Sequence, residues 1–525
     1  MRFGSKLIDK LLVIRSWLLA KHIDKTREQL DVLQSFKPSL LQFLNMYDVL
    51  IVGAGTAGMA CAIMAAQQGA KVGVVEKADH IGGAMHWSGG HMSAGGTRRQ
   101  KARGIEDSPE AHFADIVRIN GGSGDLELTR LAVEEAPKTI DWLEDLGFEF
   151  APECPRIIYG HVPYDRARTH YGVDKAMSIY KVIEPLWQEQ VNKGNIECFL
   201  EHPIVGLQKE NERYTTVIAK KNGEKVLFKG KNIVMTTGGY GSNPDFFAKK
   251  HANTPLVSST YPTATADGHI LAESIGANFR FAKMHLPSLG GVELAKGLAN
   301  FNEAWAMVLT SIYRQPREIY VNAYGKRFLN EGEENADTRE RIAVQQPDWK
   351  FWVIFDEIAL LERDENGVEN PIMIGWDTEK MKAVAEEGNY FFVANTLEGL
   401  AAKTGLPSAT LIETVEDFNL KIDAQKDEDF GRTYLKNKIS EAPFYAIEVH
   451  ASVLVTFGGI KANKDLQLID NEGNVLEGLY GAGEFLGLGA TSGSAFCSGM
   501  AITPALSFGR ILGRRLARKD AKAQS

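Results

Sequence analysis

Gly53, Gly55 and Gly58, with Thr56 and Ala57 among them, form a G-x-G-x-x-G, and Glu76 followed by Lys77 closes the next apolar run. That pattern suits a bound dinucleotide. Gly53 makes a tight turn, Gly55 lets the backbone approach a pyrophosphate, and Gly58 lets a helix pack closely on the strand before it. The helix N-terminus then offers free N–H groups and the positive end of its dipole to the phosphates. Glu76 is placed to accept hydrogen bonds from an adenosine ribose.

Further candidates gather in later segments. Ile81–Ser108 carries Gly82-Gly83 and Gly89-Gly90 and is too glycine-dense for regular structure. It reads as backbone passing close to a flat ligand, with Gly83, Ala84, Ser88, Gly89 and Gly90 as contacts. His86 and His91 lie in this loop, where either a covalent flavin bond or ordinary packing is open to them, and packing is the commoner outcome. Tyr159–Tyr171 concentrates His161, Tyr164, Asp165, Arg166, Arg168, His170 and Tyr171, with a solvated loop as the plain alternative to a functional one. No metal site is expected.

Elements must position these residues. Asp48–Val52 reads as a buried parallel strand, Met59–Gln68 as an Ala-rich helix and Lys71–Val75 as a second strand. Helices are expected over Asp125–Phe148 and Ser178–Val191, and strands over Ile196–Leu200 and Thr215–Ala219. Two more apolar strands end in glycine, Lys231–Gly241 at Gly238-Gly239 and Gly478–Glu484 at Gly483-Glu484. Three such ends, far apart in sequence, converge on one extended ligand if they share the carboxyl edge of a parallel sheet. FAD fits that better than a nicotinamide cofactor. A last helix, Met500–Leu516, with Pro504 in its first turn, aims its N-terminus at the flavin, and Ser498, Ala501 and Ile502 are its candidate contacts. Residues Asp245–Ala442 differ in texture and read as an inserted α+β capping domain, with a substrate cleft beneath it. The expected architecture is therefore α/β: an FAD-binding domain over 46–244 and 443–525, the cap over 245–442, and an extension over 1–45.

That extension is apolar at helical spacing through Leu7, Ile8, Leu11, Leu12, Leu18 and Leu19, and basic through Lys6, Lys10, Arg15, Lys21, Lys25 and Arg27. It reads as an amphipathic helix, lying through residues 1–40 either on an anionic membrane surface or on protein. No small-residue cleavage site follows, so a cleaved signal peptide is not expected. The net charge of −8 over 525 residues argues against nucleic acid as a partner. Four scattered cysteines give no zinc, haem or disulfide pattern, which suits a cytoplasmic, reducing setting.

Taken together, VGAGTAGMACAIMAAQQGAKV, GGAMHWSGGHMSAGGT, VMTTGGYG, TATADG (with Asp267), GKRFLNE, APFYAIEV, GLYGAGE and ALSFGR resemble the superfamily of fumarate reductase, succinate dehydrogenase and ketosteroid dehydrogenase flavoproteins. The resemblance is strongest to the soluble flavocytochrome c fumarate reductase flavin domain. It implies FAD, held non-covalently, and hydride transfer to or from a carbon next to a carbonyl or carboxylate. It also implies a proton-carrying arginine after GKRF-x-NE, which is Arg339 or Arg341 with Arg339 favoured, resupplied by Glu333, Glu334 or Asp337. His285 in KMHLP matches one histidine of the dicarboxylate clamp. Leu454 and Val455 stand where a second histidine should be, and Phe496 where the clamping arginine should be.

Burying a carboxylate against Leu, Val and Phe is costly, so the substrate expected is hydrophobic with one ketone or one carboxylate, such as a 3-ketosteroid or cyclic ketone. The steroid enzymes carry a tyrosine in the C-terminal loop that is absent here, which leaves Tyr164, Tyr171, Tyr261 or Tyr313 as substitutes. The sequence thus predicts an FAD-dependent oxidoreductase that desaturates or reduces a carbon–carbon bond alpha–beta to a carbonyl. Arg339 carries the proton, Tyr164 or Tyr171 assists, and His285 binds the carbonyl. An external electron carrier or quinone completes the cycle. The rivals are a reductase of a short unsaturated acid and a non-catalytic flavoprotein that passes electrons to a partner.

Overall fold

The computed structural model describes residues 46–293, 295–299, 314–373 and 376–521. The expected helix within residues 1–45, its membrane contact and Tyr313 lie outside them. Strand β1 (Met46–Val52) has a strand on each edge, and Val49–Val52 are buried. The chain turns at Gly53 into α1 (Thr56–Ala66), where every residue after Thr56 is buried. A helix without a polar face must be covered all round.

β2 (Val72–Val75) lies parallel to β1. α2 (Leu126–Asp145) buries Leu128, Ala132, Ala136, Ile140 and Leu143 at helical spacing and is capped by the Asp125 carboxylate. After α3 (Met177–Asn192), β3 (Ile196–Phe199) extends the sheet parallel to β2. β4 (Ile204–Glu210) and β5 (Arg213–Lys221) form an antiparallel pair leading into β6 (Glu224–Met235), which returns parallel to β1 on its free edge.

A second, antiparallel sheet follows. Its strands are β7 (Ser288–Gly291), β8 (Ile319–Asn322), β9 (Lys350–Asp356), β10 (Phe391–Ala394) and β11 (Phe444–Ser452). The order is β7-β11-β9-β8, with β10 also paired to β11. Alternation along the strands fills two cores. Tyr320, Phe351, Val353 and Phe355 pack on one side with Met381, while Ile319, Val321, Trp352 and Ile354 pack on the other with Leu411 and Val415. Helix α4 (Ala336–Ala343) lies between β8 and β9 in sequence, capped by Asn335.

The chain then re-enters the first sheet with β12 (Gln467–Ile469) and β13 (Val475–Gly481), and ends the described fold with α5 (Ile502–Ala521). The first sheet reads β12-β13-β6-β1-β2-β3. Gly509 and Gly513 let α5 lie directly on α1. A Cβ at these positions would stand 2.3 Å from the Ala57 carbonyl oxygen and 2.4 Å from that of Cys61.

The division between the two units differs from the expected boundaries. Ala272 and Ala277 belong to the first core, and Phe279-Arg280 pair with Gly459-Ile460, so the chain stays with the first unit well past residue 245. At the other end β11, beyond residue 442, is the central strand of the second sheet. Composition changes at 245 and 442, but strand pairing, which composition does not report, decides where each unit ends.

Candidate functional site

Register brings the glycine-bearing ends together. Val52 stands opposite Val75 on one side and Met235 on the other, and Met235 stands opposite Gly481. The carboxyl ends of β2, β1, β6 and β13 therefore reach one level, and the glycine-rich segments leave the sheet side by side.

The glycines at this edge are of two kinds. A Cβ at Gly53 (φ +102°) would lie 2.5 Å from the Thr236 carbonyl oxygen, and one at Gly58 would lie 1.9 Å from that of Gly53. Thr236 Oγ1 also donates to the Val52 and Gly53 carbonyls at 3.0 and 2.8 Å. These glycines let strand, turn and helix close on one another. At Gly55 a Cβ would meet nothing within 4 Å, and its φ of −80° needs no glycine. No protein contact explains it, and a backbone-hugging ligand does. Gly55 also caps α1 without any side-chain hydrogen bond, so the helix end keeps its N–H donors for a phosphate.

The other cofactor candidates line the same edge. Glu76 accepts from the Ala54 and Ala78 amides at 2.7 and 2.8 Å, fixing the turn to the end of β2. Lys77 pairs with Asp267 at 2.8 Å and donates to Thr265. Gly83 faces Gly55, its Cβ position 3.2 Å from the Gly55 Cα, and Ala84 and Gly89 are exposed. Ser88 Oγ accepts from the Gly90 amide, and Gly90 packs on the Lys175–Ala176 backbone. Gly238 opens onto space, whereas Gly239 abuts Glu484 and Thr456. Glu484 accepts from the Thr456 amide and hydroxyl at 2.8 and 2.7 Å, and burial raises its pKa. His86 bonds the Ile81 carbonyl at 2.8 Å, and His91 packs 5.0 Å from the Tyr171 ring.

An open cleft lies between the end of β13 and α5, lined by Gly483, Glu484, Val455, Leu488, Ala501 and Phe508 among others. Val455 and Phe496 pack against the cluster of Leu286, Phe457 and Leu488. Leu454 is exposed.

The acid–base candidates are divided between interior and rim. Arg339 on α4 is fully buried, and its three guanidinium nitrogens have no partner among the described residues. Burial lowers its pKa, opposed by Tyr320 and Glu340. Arg341 instead donates to the Ser494 carbonyl at 2.6 Å, tying α4 to the loop that carries Phe496. His285 is half-buried, but both its ring nitrogens are buried and without a partner among the described residues, and the ring stacks on Trp349 at 4.9 Å. Burial, then the charge of His251, pushes its pKa down to about 3, so it is a neutral hydrogen-bonding group. Tyr164 is buried and donates to the Ser498 carbonyl at 2.8 Å, while Ser498 Oγ accepts from Thr169. Tyr171 donates to Glu153 at 2.5 Å and Tyr261 bonds His80 at 2.6 Å. All three phenols thus have protein partners.

Glu340 was not singled out by sequence. It is buried beside Arg339, and burial raises its carboxyl to about 8 against the opposing charge of His161. Its one legible signal was the Asp337/Glu340 spacing, which puts both on one helical face.

The chain matches the family model described as FAD binding domain over residues 48–500. It belongs to that family. FAD is its cofactor, and the enzyme is an FAD-dependent oxidoreductase of mixed α/β flavoprotein fold. A probable fumarate reductase of Shewanella frigidimarina is 29% identical over 478 residues, 90% of this chain and 74% of the relative. A vinyl phenol reductase of Lactiplantibacillus plantarum is 27% identical over 459 residues, 84% of this chain and 90% of the relative. Among solved structures, the open conformation of a flavocytochrome c3 fumarate reductase aligns with a TM-score of 0.69 at 26% identity, covering 94% of this chain and 81% of that one. Among the described residues no helix is long and apolar enough to cross a membrane.

Proposed function

We propose that this flavoenzyme reduces a carbon–carbon double bond in an apolar substrate that carries a single activating oxygen function, such as a ketone, one carboxylate or a phenol. The observation that carries the reading is the apolar cluster joining Val455 and Phe496 to Leu488 on the cleft wall. A second carboxylate would lose its hydration there and gain no donor. A vinyl phenol is such an apolar alkene, and the relative named for reducing it matches this chain over 90% of its own length.

In this reading Gly53, Gly55, Gly58, Glu76, Gly83, Gly238 and Glu484 hold FAD non-covalently, and the second sheet with its helices is the cap. Bound FAD supplies the hydride. Arg339 gives the proton to the neighbouring carbon, and its buried guanidinium also stabilises negative charge developing on the activating group. Neutral His285 donates one hydrogen bond to that oxygen function, and its Trp349 stack fixes the ring plane. The apolar wall orients the substrate and excludes water. Electrons come from an external carrier, because Cys61, Cys154, Cys198 and Cys497 are dispersed and form no iron–sulfur set.

A second reading, reduction of a short unsaturated monoacid, is favoured by Arg339 alone, since an unpaired buried guanidinium suits one carboxylate. Anaerobic mixing of the chemically reduced protein with a cyclic enone, a vinyl phenol, acrylate and fumarate separates the two. Flavin reoxidation by the first two, ahead of acrylate and far ahead of fumarate, is expected. Reoxidation by fumarate as fast as by the apolar alkenes, or by none of the four, overturns the proposal.

A further inference from the structure

An imidazole makes its hydrogen bonds in the plane of its ring, so a histidine that binds one oxygen needs that plane held. The residues around His285 grip its ring and leave its nitrogens alone. The Trp349 indole stacks on it at 4.9 Å with 13° between the planes. His251 lies 5.1 Å away, tilted, while Phe247 and Phe457 meet it edge-on at 5.7 and 6.2 Å. Both ring nitrogens stay buried without a partner among the described residues.

Trp349 reaches this place through a strained backbone. It ends the short turn Pro347–Trp349 between α4 and β9, where Asp348 and Trp349 have φ values of +55° and +53°. The left-handed region is unfavourable for any residue with a side chain, and most of all for a bulky one. Such a conformation persists only where its surroundings fix it, and both ends of this turn are fixed. Gln346 accepts from Asn322 on β8 and donates to the Ile342 carbonyl on α4, each at 3.1 Å. Lys350 stands paired with His450 on β11. The half-buried indole packs on two cores, that of the second sheet and that of Tyr240, Phe246 and Phe247 in the first unit. Ordinary φ values at both turn residues would swing it away from His285.

We propose that Trp349 is a positioning residue that sets substrate specificity: the strained turn presses its indole on His285, so that the imidazole offers one N–H in one direction to a ketone or phenol oxygen. This role rests on the hydrogen bond that His285 gives in the reading above. Trp349 comes from the second unit, and Phe247 and His251 from the first, so His285 is held where the two units meet. A single N–H of fixed direction suits a single oxygen. A carboxylate is met instead by the fork of a guanidinium, which takes both of its oxygens at once, and Arg339 offers that fork without help from His285. Releasing the His285 ring therefore harms the binding of an enone or a phenol more than that of a short monoacid.

The test uses the FAD-loaded wild type, Trp349→Phe, Trp349→Leu, His285→Phe, and the variant carrying both Trp349→Leu and His285→Phe. Binding of cyclohexanone and of an ethyl phenol to the oxidised proteins is read from the flavin absorbance. The reduced proteins are mixed anaerobically with cyclohexenone, a vinyl phenol, acrylate or ferricyanide, which takes electrons without entering a hydrogen bond to His285. Trp349→Leu should weaken both ligands and slow both apolar alkenes about tenfold, the worth of one aligned hydrogen bond, and slow acrylate by less than about threefold. Trp349→Phe keeps a ring on the imidazole face and should stay within about threefold of the wild type. In the His285→Phe background, Trp349→Leu should cost nothing further, and ferricyanide should reoxidise every protein alike. Wild-type binding and rates in Trp349→Leu would overturn the proposal. So would losses that add in the double variant, or that extend equally to acrylate or ferricyanide, because these mark a packing role. A His285→Phe variant that binds and reacts like the wild type would refute the part given to His285, and this role with it. A wild type that no alkene reoxidises would instead refute the parent reading.

Discussion

Replacing Val455 by His and Phe496 by Arg should turn the cleft toward dicarboxylates. Both side chains pack on the cluster of Leu286, Phe457 and Leu488, and Val455 and Leu488 also line the cleft. Introduced donors would therefore converge on one wall. A carboxylate left unpaired there costs at least ~2 kcal/mol, and the missing charge-assisted hydrogen bond is worth ~1.5 kcal/mol or more. Taking the low end of each, the wild type should favour an apolar alkene over fumarate by about 3.5 kcal/mol in kcat/KM. At ~1.4 kcal/mol per tenfold, that is roughly three-hundredfold. The double variant should remove most of the gap. One interaction works against it. The Phe496 ring lies 4.5 Å from that of His161, which is bonded to Asp337, so a guanidinium at 496 would be drawn toward Asp337. Val455→His alone avoids that competition and should gain about tenfold toward fumarate. The assay is kcat/KM for fumarate, acrylate and a vinyl phenol on the three proteins, with flavin absorbance confirming cofactor content. Equal kcat/KM of the wild type for fumarate and the vinyl phenol would refute the argument, as would flavin-loaded variants that lose the alkene without gaining the diacid.

Gly55→Val should leave the thermal midpoint of the apoprotein nearly unchanged while weakening FAD binding at least about tenfold, because the added side chain enters only the ligand side. Gly58→Ala, whose Cβ would stand 1.9 Å from the Gly53 carbonyl oxygen, should instead destabilise the fold by several kcal/mol and lower soluble yield; equal behaviour of the two variants would show that the distinction between these glycines is empty. The raised pKa of Glu340 means the folded chain keeps that proton after the unfolded chain has lost it, so its stabilising contribution is full below the ordinary value of 4.5 and disappears as pH rises through about 8. Relative to Glu340→Gln, the wild type should therefore lose about 3 kcal/mol between pH 5 and pH 8, read from urea midpoints, and a pH-independent difference would contradict the buried acid. Tyr164→Phe should cost about 1 kcal/mol by removing the hydrogen bond to Ser498 and leave the pH–rate profile as it was; a shifted profile would restore Tyr164 to the proton chemistry.

The glycine-bearing edge of the first sheet was legible because its information is local. Each glycine-ended strand announces itself within a dozen residues, and a parallel sheet has few ways to arrange three such strands. Helix α1 began earlier than its apolar run suggested, at Thr56 directly after Gly55, because an uncapped start leaves no Ser or Asp to mark it. The boundaries of the second unit were illegible for a different reason. β11 belongs to the second sheet through its pairing with β7, β9 and β10, and no property of the strand itself records which partners it will find. The tyrosines were likewise ambiguous. Tyr164 sits among ionisable neighbours in sequence, yet its hydroxyl is taken by a carbonyl 334 residues away.

Helix α4 ties the apolar wall to the buried guanidinium. On α4, Arg341 holds the loop that carries Phe496, Asp337 holds His161, and His161 in turn packs on the Phe496 ring. Phe496 packs on the apolar cluster, whereas the charge of Glu340 acts on the buried guanidinium. Inserting an arginine at 496, as relatives with a full dicarboxylate clamp do in the resemblance drawn from sequence, would place a positive charge beside His161 and disfavour its protonation. A phenylalanine at 496 leaves the His161 imidazole readily charged beside Asp337, and a clamping arginine would not. The double variant that gains fumarate should for that reason also lower the pKa of His161 relative to Val455→His alone, read from an NMR titration of the imidazole, and an unchanged titration would refute the coupling.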